Sequence, residues 1–355
     1  MTQRIAVLGS GANGSAIGAD LTLAGLDVVL VDQWPEHVEA MRSRGLTIRL
    51  PEETRHVPVR THHLCEVATL RERFDVVLIV MKAYDARWAA QLIEPYVASD
   101  GLVVAVQNGM SADVVADVVG PARSLASVIE ITSQLFEPGV VERHSPWSRS
   151  WFAVGSLGPQ THGREHVVAD LLRHSGPVDV VDDIRAAKWM KLVSNCTTLV
   201  PTAILGLPMT AAAEVPGMRA LMVRAGQEAL DVGRALGHPV LPIFGLGPDD
   251  LVERDRVVDT LLDTLFAGFV LAHSTTTILQ DWRKGRHSEA DDINGEVVRR
   301  AAQLGLAAPV NAAVVEIAHR IERGDLAPDR GNVDLLRDLV AGGFVPTSRF
   351  RTGAA

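Results

Sequence analysis

The sequence predicts an α/β fold in two parts: a sheet flanked by helices, then an all-helical domain. Three observations carry this reading. Ile5-Ala6-Val7-Leu8 is an apolar run short enough for a buried strand, and a Gly-rich turn follows it. Short apolar runs then alternate with helical patterns as far as Val181. After Asp183 the strand-like runs stop, and helical periodicity dominates to about Ala341. The expected division is therefore 1–183, 184–344 and a loose tail at 345–355, where no apolar pattern remains.

The first element is the most informative. The turn reads Gly9-Ser10-Gly11-Ala12-Asn13-Gly14, a helical pattern runs to about Gly25, and Val28-Val29-Leu30-Val31 forms the next strand. This is a βαβ unit with G-x-G-x-x-G at its first turn, the Rossmann dinucleotide fingerprint. Gly9 permits the tight turn, Gly11 lets a pyrophosphate approach the backbone, and Gly14 lets helix and strand pack closely. The helix N-terminus offers N–H groups and partial positive charge to the phosphates. Asp32 ends the second strand, where a carboxylate accepts from an adenosine ribose and repels a 2′-phosphate. That favours NADH over NADPH, since Arg42 and Arg44 lie too far on to compensate. A Rossmann-like domain that has lost its ligand is the alternative.

Further along, Trp34 to Arg44 reads as a helix with Pro35 in its first turn. Leu46 to Thr61 reads as short strands or a loop at the sheet edge. Phe74 to Val80 is a strand ending at Met81-Lys82-Ala83-Tyr84, with a helix to about Val97. Leu102 to Val106 is another, ending at Gln107-Asn108-Gly109-Met110. Lys82 and Asn108 thus sit at carboxyl ends of strands, where open parallel sheets bind ligands. Ser127–Thr132, Val140-Val141 and Trp151–Val154 should extend the sheet in mixed directions. A helix at 164–174 and a strand at Val178–Val181 close the domain. In the second part helices are expected at 184–199, 215–236, 256–281 with a break, 290–304 and 309–323.

Composition narrows the function. A formal charge of −9 with no basic block argues against nucleic acid or an anionic membrane as partner. Cys65 and Cys196 form no disulfide framework, and the twelve histidines show no metal-ligand pattern. No apolar run is long enough to span a bilayer. The N-terminus enters a strand with no signal peptide, so a cytoplasmic protein is expected. Trp147, Trp151 and Trp189 are expected to pack.

Two clusters could carry chemistry. In Lys188-Trp189-Met190-Lys191-Leu192-Val193-Ser194-Asn195-Cys196, Lys191 and Asn195 are i and i+4 on one helix face, and Leu199 continues it. Lys188, a turn earlier, is the weaker candidate, and a solvated lysine is the bland alternative. The second cluster is His273-Ser274-Thr275-Thr276-Thr277, followed by Glu289. Four consecutive hydroxyls are unusual inside a helix. They suit either a polar helix seam or donors for a substrate. Glu289, like Asp291 and Asp292, could also stabilise a helix N-terminus.

Taken together, these motifs resemble the ketopantoate reductase (2-dehydropantoate 2-reductase) family from the Gly9 turn to about residue 320. The matching elements are the Gly9–Gly14 turn, Lys82, Gln107-Asn108-Gly109-Met110, Lys191 to Cys196, and Leu279-Gln280-Asp281 leading to Glu289 and Ile293-Asn294-Gly295. The resemblance implies a Rossmann domain followed by an all-helical one, and hydride transfer from nicotinamide to a 2-oxo acid. It implies that Lys191 is the catalytic lysine and Glu289 the acid working with it. Lys82 and Asn108 match positions touching cofactor or substrate and Asn195 a substrate-contacting one, while Ser274 and Thr277 fall at substrate positions where the family commonly has Asn and Ser. Asp32 departs from the family's usual basic or small residue. Leu199 replaces an asparagine, and Glu142 to Trp151 is bulkier than the Gly-rich hairpin expected there.

The leading reading is reduction of ketopantoate to pantoate. The alternatives are a reductase of another branched or bulkier 2-oxo acid and a dinucleotide sensor without turnover. A sensor needs no general acid, so Lys191, Asn195 and Glu289 separate the two classes. Opine dehydrogenases share the first domain but should lack the late Glu289 pattern. The partner is a small molecule, and the assembly state is open, with a homodimer compatible.

Overall fold

Strand β1 (Arg4–Leu8) leads through the glycine turn into helix α1 (Ala12–Leu23), and β2 (Asp27–Asp32) completes the first βαβ unit. All four residues Ile5 to Leu8 are fully buried, as a parallel strand covered on both faces requires. This is a computed structural model, and it describes residues 3–253 and 256–343. The expected tail at 345–355 lies outside the described residues. The chain divides into two units after Lys188.

In the first unit, α2 (Pro35–Arg44), β3 (Leu46–Arg49), β4 (Thr54–Val57), β5 (Arg60–His63) and β6 (Phe74–Ile79) follow. Next come α3 (Ala86–Ile93), β7 (Val97–Ala105), α4 (Ala112–Val119), β8 (Ser124–Glu130), β9 (Ser133–Glu137), β10 (Val140–Arg143) and β11 (Trp151–Ser156). Helix α5 (Glu165–Leu172) and β12 (Val178–Val180) end the unit's regular structure. The main sheet has eight strands in the order β12-β11-β8-β7-β6-β1-β2-β5. From β1 the chain steps outward to β2 and β5, then returns across β1 to β6 and on to β7 and β8. The order therefore reverses between β1 and β6, where such sheets bind ligands. Only β11 runs against its neighbour β8 in this sheet.

One expectation fails here. The hairpin β9–β10 does not extend the main sheet. It pairs with the β3–β4 hairpin in a separate four-stranded sheet, order β4-β3-β10-β9. Of the three strands between Leu46 and His63, only β5 lies at the main sheet's edge. The reason lies in α1, which contacts β1 and β2 and also all four strands of the small sheet. Its buried residues Gly14, Ser15, Ala16, Ile17, Gly18, Ala19 and Leu21 surround the axis, so it must be covered from both sides. The expected helix to Val97 also stops early. Pro95 falls in a tight turn, and Val97 already begins β7.

The second unit is helical among its described residues. Helix α6 (Ile184–Ala203) carries the chain across the division, followed by α7 (Met209–Ala213), α8 (Met218–Ala235), α9 (Val257–Gly268) and α10 (Thr277–Arg283). Helices α11 (Asn294–Leu304), α12 (Pro309–Glu322) and α13 (Asn332–Ala341) come last. Helix α8 packs on α7, α9, α11 and α12. The expected 215–236 helix begins only at Met218, because Gly217 adopts φ +80° after Pro216. The break expected within 256–281 spans 269–276.

Candidate functional site

The glycine turn has the geometry that its spacing predicts. Gly9 holds φ +95°, and a Cβ there would lie 2.8 Å from the Met81 nitrogen. A Cβ on Gly14 would lie 2.0 Å from the Gly9 oxygen, so helix and turn meet through that missing side chain. A Cβ on Gly11 would meet nothing within 4 Å. Gly11 is also the N-cap of α1, and no side chain caps the helix there. Open space above uncapped N–H groups fits the pyrophosphate of a dinucleotide. Ala12 and Asn13 open the helix, half-buried, and Ser133 Oγ bonds the Asn13 amide oxygen.

His37, not singled out in the sequence, braces this turn from beneath. It is fully buried. Its Nδ1 accepts from the Gly139 N–H at 2.9 Å, which places the ring proton on Nε2, 2.9 Å from the Ser10 oxygen. Burial lowers its pKa against the opposing pull of Asp32 and Ser10, so the neutral ring is the resting form. Asp32 itself is buried and accepts from the Trp34 N–H at 2.9 Å. Arg42 is engaged by Glu39 and Glu66, and Arg44 reaches the Pro138 oxygen at 3.4 Å.

Lys82 lies just after β6, half-buried at the start of a tight turn. Asn108 lies just after β7, and its side-chain oxygen is buried without a hydrogen-bond partner. Lys188 matters more than its sequence context suggests. It is buried, and its Nζ donates to the Gln107 oxygen at 2.7 Å and the Ser127 oxygen at 3.2 Å. Burial lowers its pKa to about 8. It therefore clamps the peptide that leads into Asn108.

In the second unit, α6 carries Lys191, Asn195 and Leu199 on one face. Lys191 and Asn195 are 7% and 1% exposed, so neither is an ordinary solvated side chain. Leu199 is only half-buried, alone among residues 186–205. The hydroxyls of Thr197, Thr198 and Thr202 turn back to the carbonyls four residues earlier, at 2.8, 2.9 and 2.7 Å. The Ser194 hydroxyl and the Asn195 amide nitrogen have no protein partner. Asn294 Nδ2 holds α6 by donating to the Cys196 oxygen at 3.1 Å and to Asn311 Oδ1 at 2.8 Å. Asn294 belongs to the Ile293-Asn294-Gly295 motif, which is thereby given a physical role. The Lys191 Nζ lies 5.1 Å from the ring centre of Phe244, a residue that sequence reasoning passed over.

The hydroxyl run is not inside a helix. Ser274 and Thr275 precede α10, Thr276 is its N-cap accepting from the Leu279 N–H at 3.2 Å, and Thr277 begins it. Ser274 is fully buried and accepts from the Leu271 N–H at 3.2 Å. Thr277 is half-buried. Helix capping thus accounts for Thr276. Glu289 is 4% exposed and lies in a turn four residues ahead of Ile293, the N-cap of α11. Glu322 fixes the stretch before it, accepting from the Ser288 N–H at 3.0 Å and the Trp282 Nε1 at 3.1 Å. Nearby Asp292 has its pKa pushed up to about 6 by burial and by the charges of Glu289, Asp291 and Glu296, with Arg299 opposing. Asp291 instead pairs with His319 at 2.9 Å. Of the tryptophans, Trp151 and Trp189 are buried. Trp147 is 51% exposed, contrary to expectation, although its Nε1 donates to the Arg173 oxygen at 2.7 Å. Among the described residues no group of His, Cys, Asp and Glu could hold a metal, and no helix is long and apolar enough to cross a membrane.

Known proteins with the same arrangement identify the family. The model of the ketopantoate reductase PanE/ApbA family matches residues 5–156, and that of its C-terminal domain matches 183–322. A 2-dehydropantoate 2-reductase of Archaeoglobus fulgidus is 25% identical over 91% of this chain and 99% of its own. One of Caulobacter vibrioides is 29% identical over 88% and 97%. Among solved structures, a PanE/ApbA family ketopantoate reductase from Ralstonia eutropha is 27% identical with a TM-score of 0.76, covering 91% of this chain and 99% of that one. D-mandelate dehydrogenase, solved with NADH and anilino(oxo)acetate, shares the fold at 22% identity and a TM-score of 0.80, with the same coverage. The chain belongs to the ketopantoate reductase family and is a nicotinamide-dependent oxidoreductase.

Proposed function

We propose that this chain reduces a 2-oxo acid to the 2-hydroxy acid, with Lys191 as general acid and NADH as the preferred cofactor. One observation carries the reading. A buried lysine and a buried amide N–H with no protein partner share one face of α6. Such a pair suits an oxygen that bears or develops negative charge. The Gly9–Gly14 turn and Asp32 would hold the dinucleotide, and the bound nicotinamide supplies the hydride. As the carbonyl carbon is reduced, Lys191 Nζ stabilises the growing charge on oxygen and gives it a proton. Glu289 holds or orients the lysine, directly or through water. Asn195 donates to the substrate's carboxylate or carbonyl, with Ser274 and Thr277 as further contacts. Lys82 and Asn108 serve the cofactor or the substrate.

Ketopantoate is the leading substrate, supported by the names of the relatives. A second reading, a branched or bulkier 2-oxo acid without the terminal hydroxyl, is favoured by Leu199. A leucine cannot bond that hydroxyl, and desolvating it without a partner costs about 1–3 kcal/mol. The test is a panel of 2-oxo acids assayed with NADH and with NADPH, in wild type and Leu199→Asn. Turnover of a 2-oxo acid is expected, with the variant shifting kcat/KM towards ketopantoate. No turnover of any 2-oxo acid sinks the proposal. An unmoved ratio removes Leu199 from the substrate.

A further inference from the structure

Phe244 stands in a conformation that its residue type resists. Its φ is +63°, the one positive value on a non-glycine among the described residues, and Gly245 comes next at +76°. The Leu246 N–H donates to the Ile243 oxygen at 3.2 Å. This closes a tight turn with both central residues left-handed, a place normally taken by Gly, Asn or Asp. A bulky side chain there is strained, and strain of this kind concentrates at functional sites. The turn keeps the ring 6% exposed, 5.2 Å from the half-buried ring of Phe269 and 5.1 Å from Lys191 Nζ.

We infer that the Phe244 ring is the wall against which the substrate's side chain packs, and that of the two substrate readings above the one without the terminal hydroxyl holds: the substrate is a 2-oxo acid whose side chain is flat and apolar. The inference rests on the proposed role of Lys191. If that ammonium meets the carbonyl oxygen, the substrate's side chain is one bond from the carbonyl carbon and must lie among the groups around the ammonium. Asn195 supplies a donor with no protein partner, suited to the carboxylate. Phe244 supplies an apolar face. Leu199, further along the same face of α6, adds no polar group.

Steady-state kinetics on pyruvate, ketopantoate, 2-oxoisovalerate and phenylglyoxylate test this, using wild type, Phe244→Gly and Phe244→Leu. Phe244→Gly relieves the left-handed strain but removes a buried ring, a destabilising loss in a core, so the thermal midpoints of Phe244→Gly and Phe244→Leu are measured to show that both are folded at the assay temperature. Wild type should prefer phenylglyoxylate to ketopantoate. Phe244→Gly should lower kcat/KM for phenylglyoxylate by about 10- to 100-fold, mostly through KM, the scale of lost pocket contacts. The loss for pyruvate, which has only a methyl group to pack, should be about tenfold smaller. Phe244→Leu should fall between. Equal losses on all substrates would make Phe244 a prop for the lysine only and overturn the inference. So would a wild-type preference for ketopantoate. If no 2-oxo acid is turned over, the reductase reading fails and this inference with it.

Discussion

In the proposed site the two units contribute different materials. Residues up to Lys188 would contribute chiefly backbone, namely a turn of three glycines and the N-terminus of α1, with the side chains of Asp32, Lys82 and Asn108 beside it. The unit beyond would contribute side chains: Lys191 and Asn195 on α6, Ser274 and Thr277 around the start of α10, and Glu289 in the turn before α11. A backbone site tolerates almost any neighbouring sequence but none of its glycines can change freely. A side-chain site can be retuned one residue at a time. Differences in chemistry between relatives should therefore collect in the helical unit, where Leu199 and Phe244 lie.

The largest effect should come from the side-chain half. Lys191→Ala is expected to lower kcat by about two to four powers of ten, the scale for losing a positioned acid. Nucleotide affinity, measured by titrating NADH into the variant, should hardly move. A variant with near wild-type kcat would remove Lys191 from the chemistry.

The backbone half breaks differently. Gly14→Ala puts a methyl 2.0 Å from the Gly9 oxygen, so about 3 kcal/mol of stability should go with it, the upper range for overpacking. Gly11→Ala meets nothing and keeps a permitted φ of −64°. It should leave the urea midpoint in place and weaken NADH binding by about tenfold, because the methyl occupies the approach to the α1 N–H groups. If Gly11→Ala binds NADH normally, the pyrophosphate does not lie over that position.

Where this contrast was legible depends on the material. Gly9, Gly11, Gly14 and Asp32 could be read because a βαβ turn forces fixed spacings between neighbours in sequence. Lys191 and Asn195 could be read because i and i+4 share a helix face. Phe244 could not, because its partner Lys191 lies more than fifty residues earlier and nothing periodic links them. The Pro242-Ile243-Phe244-Gly245 stretch, a turn signal within a helical half, was the available hint. The small sheet was missed for a similar reason. Pairing β10 with β3 joins Val141 to Ile48, and no local pattern shows which sheet a short strand will join. The hydroxyl run was misplaced because Thr276 as a cap and Thr276 inside a helix give the same local composition.

Lys188 tests where the backbone half ends. Its folded pKa, about 8, lies below the value of a free lysine. Between pH 8 and about 10.4 the unfolded chain therefore binds more protons than the folded one, and stability rises with pH through that window. The gain is on the order of 3 kcal/mol for a group this buried. Groups common to both proteins cancel when wild type is compared with Lys188→Met. The wild type should therefore gain on the variant in urea midpoint between pH 7.5 and pH 10. Parallel curves would mean that the Lys188 ammonium is not strained by its burial.

The smallest expected effect concerns Asp32, the residue proposed to choose between NADH and NADPH. The carboxylate ends β2 and is held by the Trp34 N–H at 2.9 Å. Its neighbours further along the chain, Gln33, Trp34, Pro35 and Glu36, bring no positive charge. Arg42 and Arg44 are already engaged at Glu39, Glu66 and Pro138. A 2′-phosphate would thus meet a carboxylate with no cation in this segment to receive it, while a ribose hydroxyl could donate to that carboxylate. Hydrogen bonds to charged groups contribute about 1.5–3 kcal/mol, so at the low end of that range Asp32→Ala should raise the Kd for NADH by about tenfold. The same change should lower the Kd for NADPH, since the repulsion goes with the charge. Opposite movement of the two constants is the signature of direct contact with the ribose. If both rise together, Asp32 acts only through its bond to the Trp34 backbone and shapes the turn without selecting the cofactor.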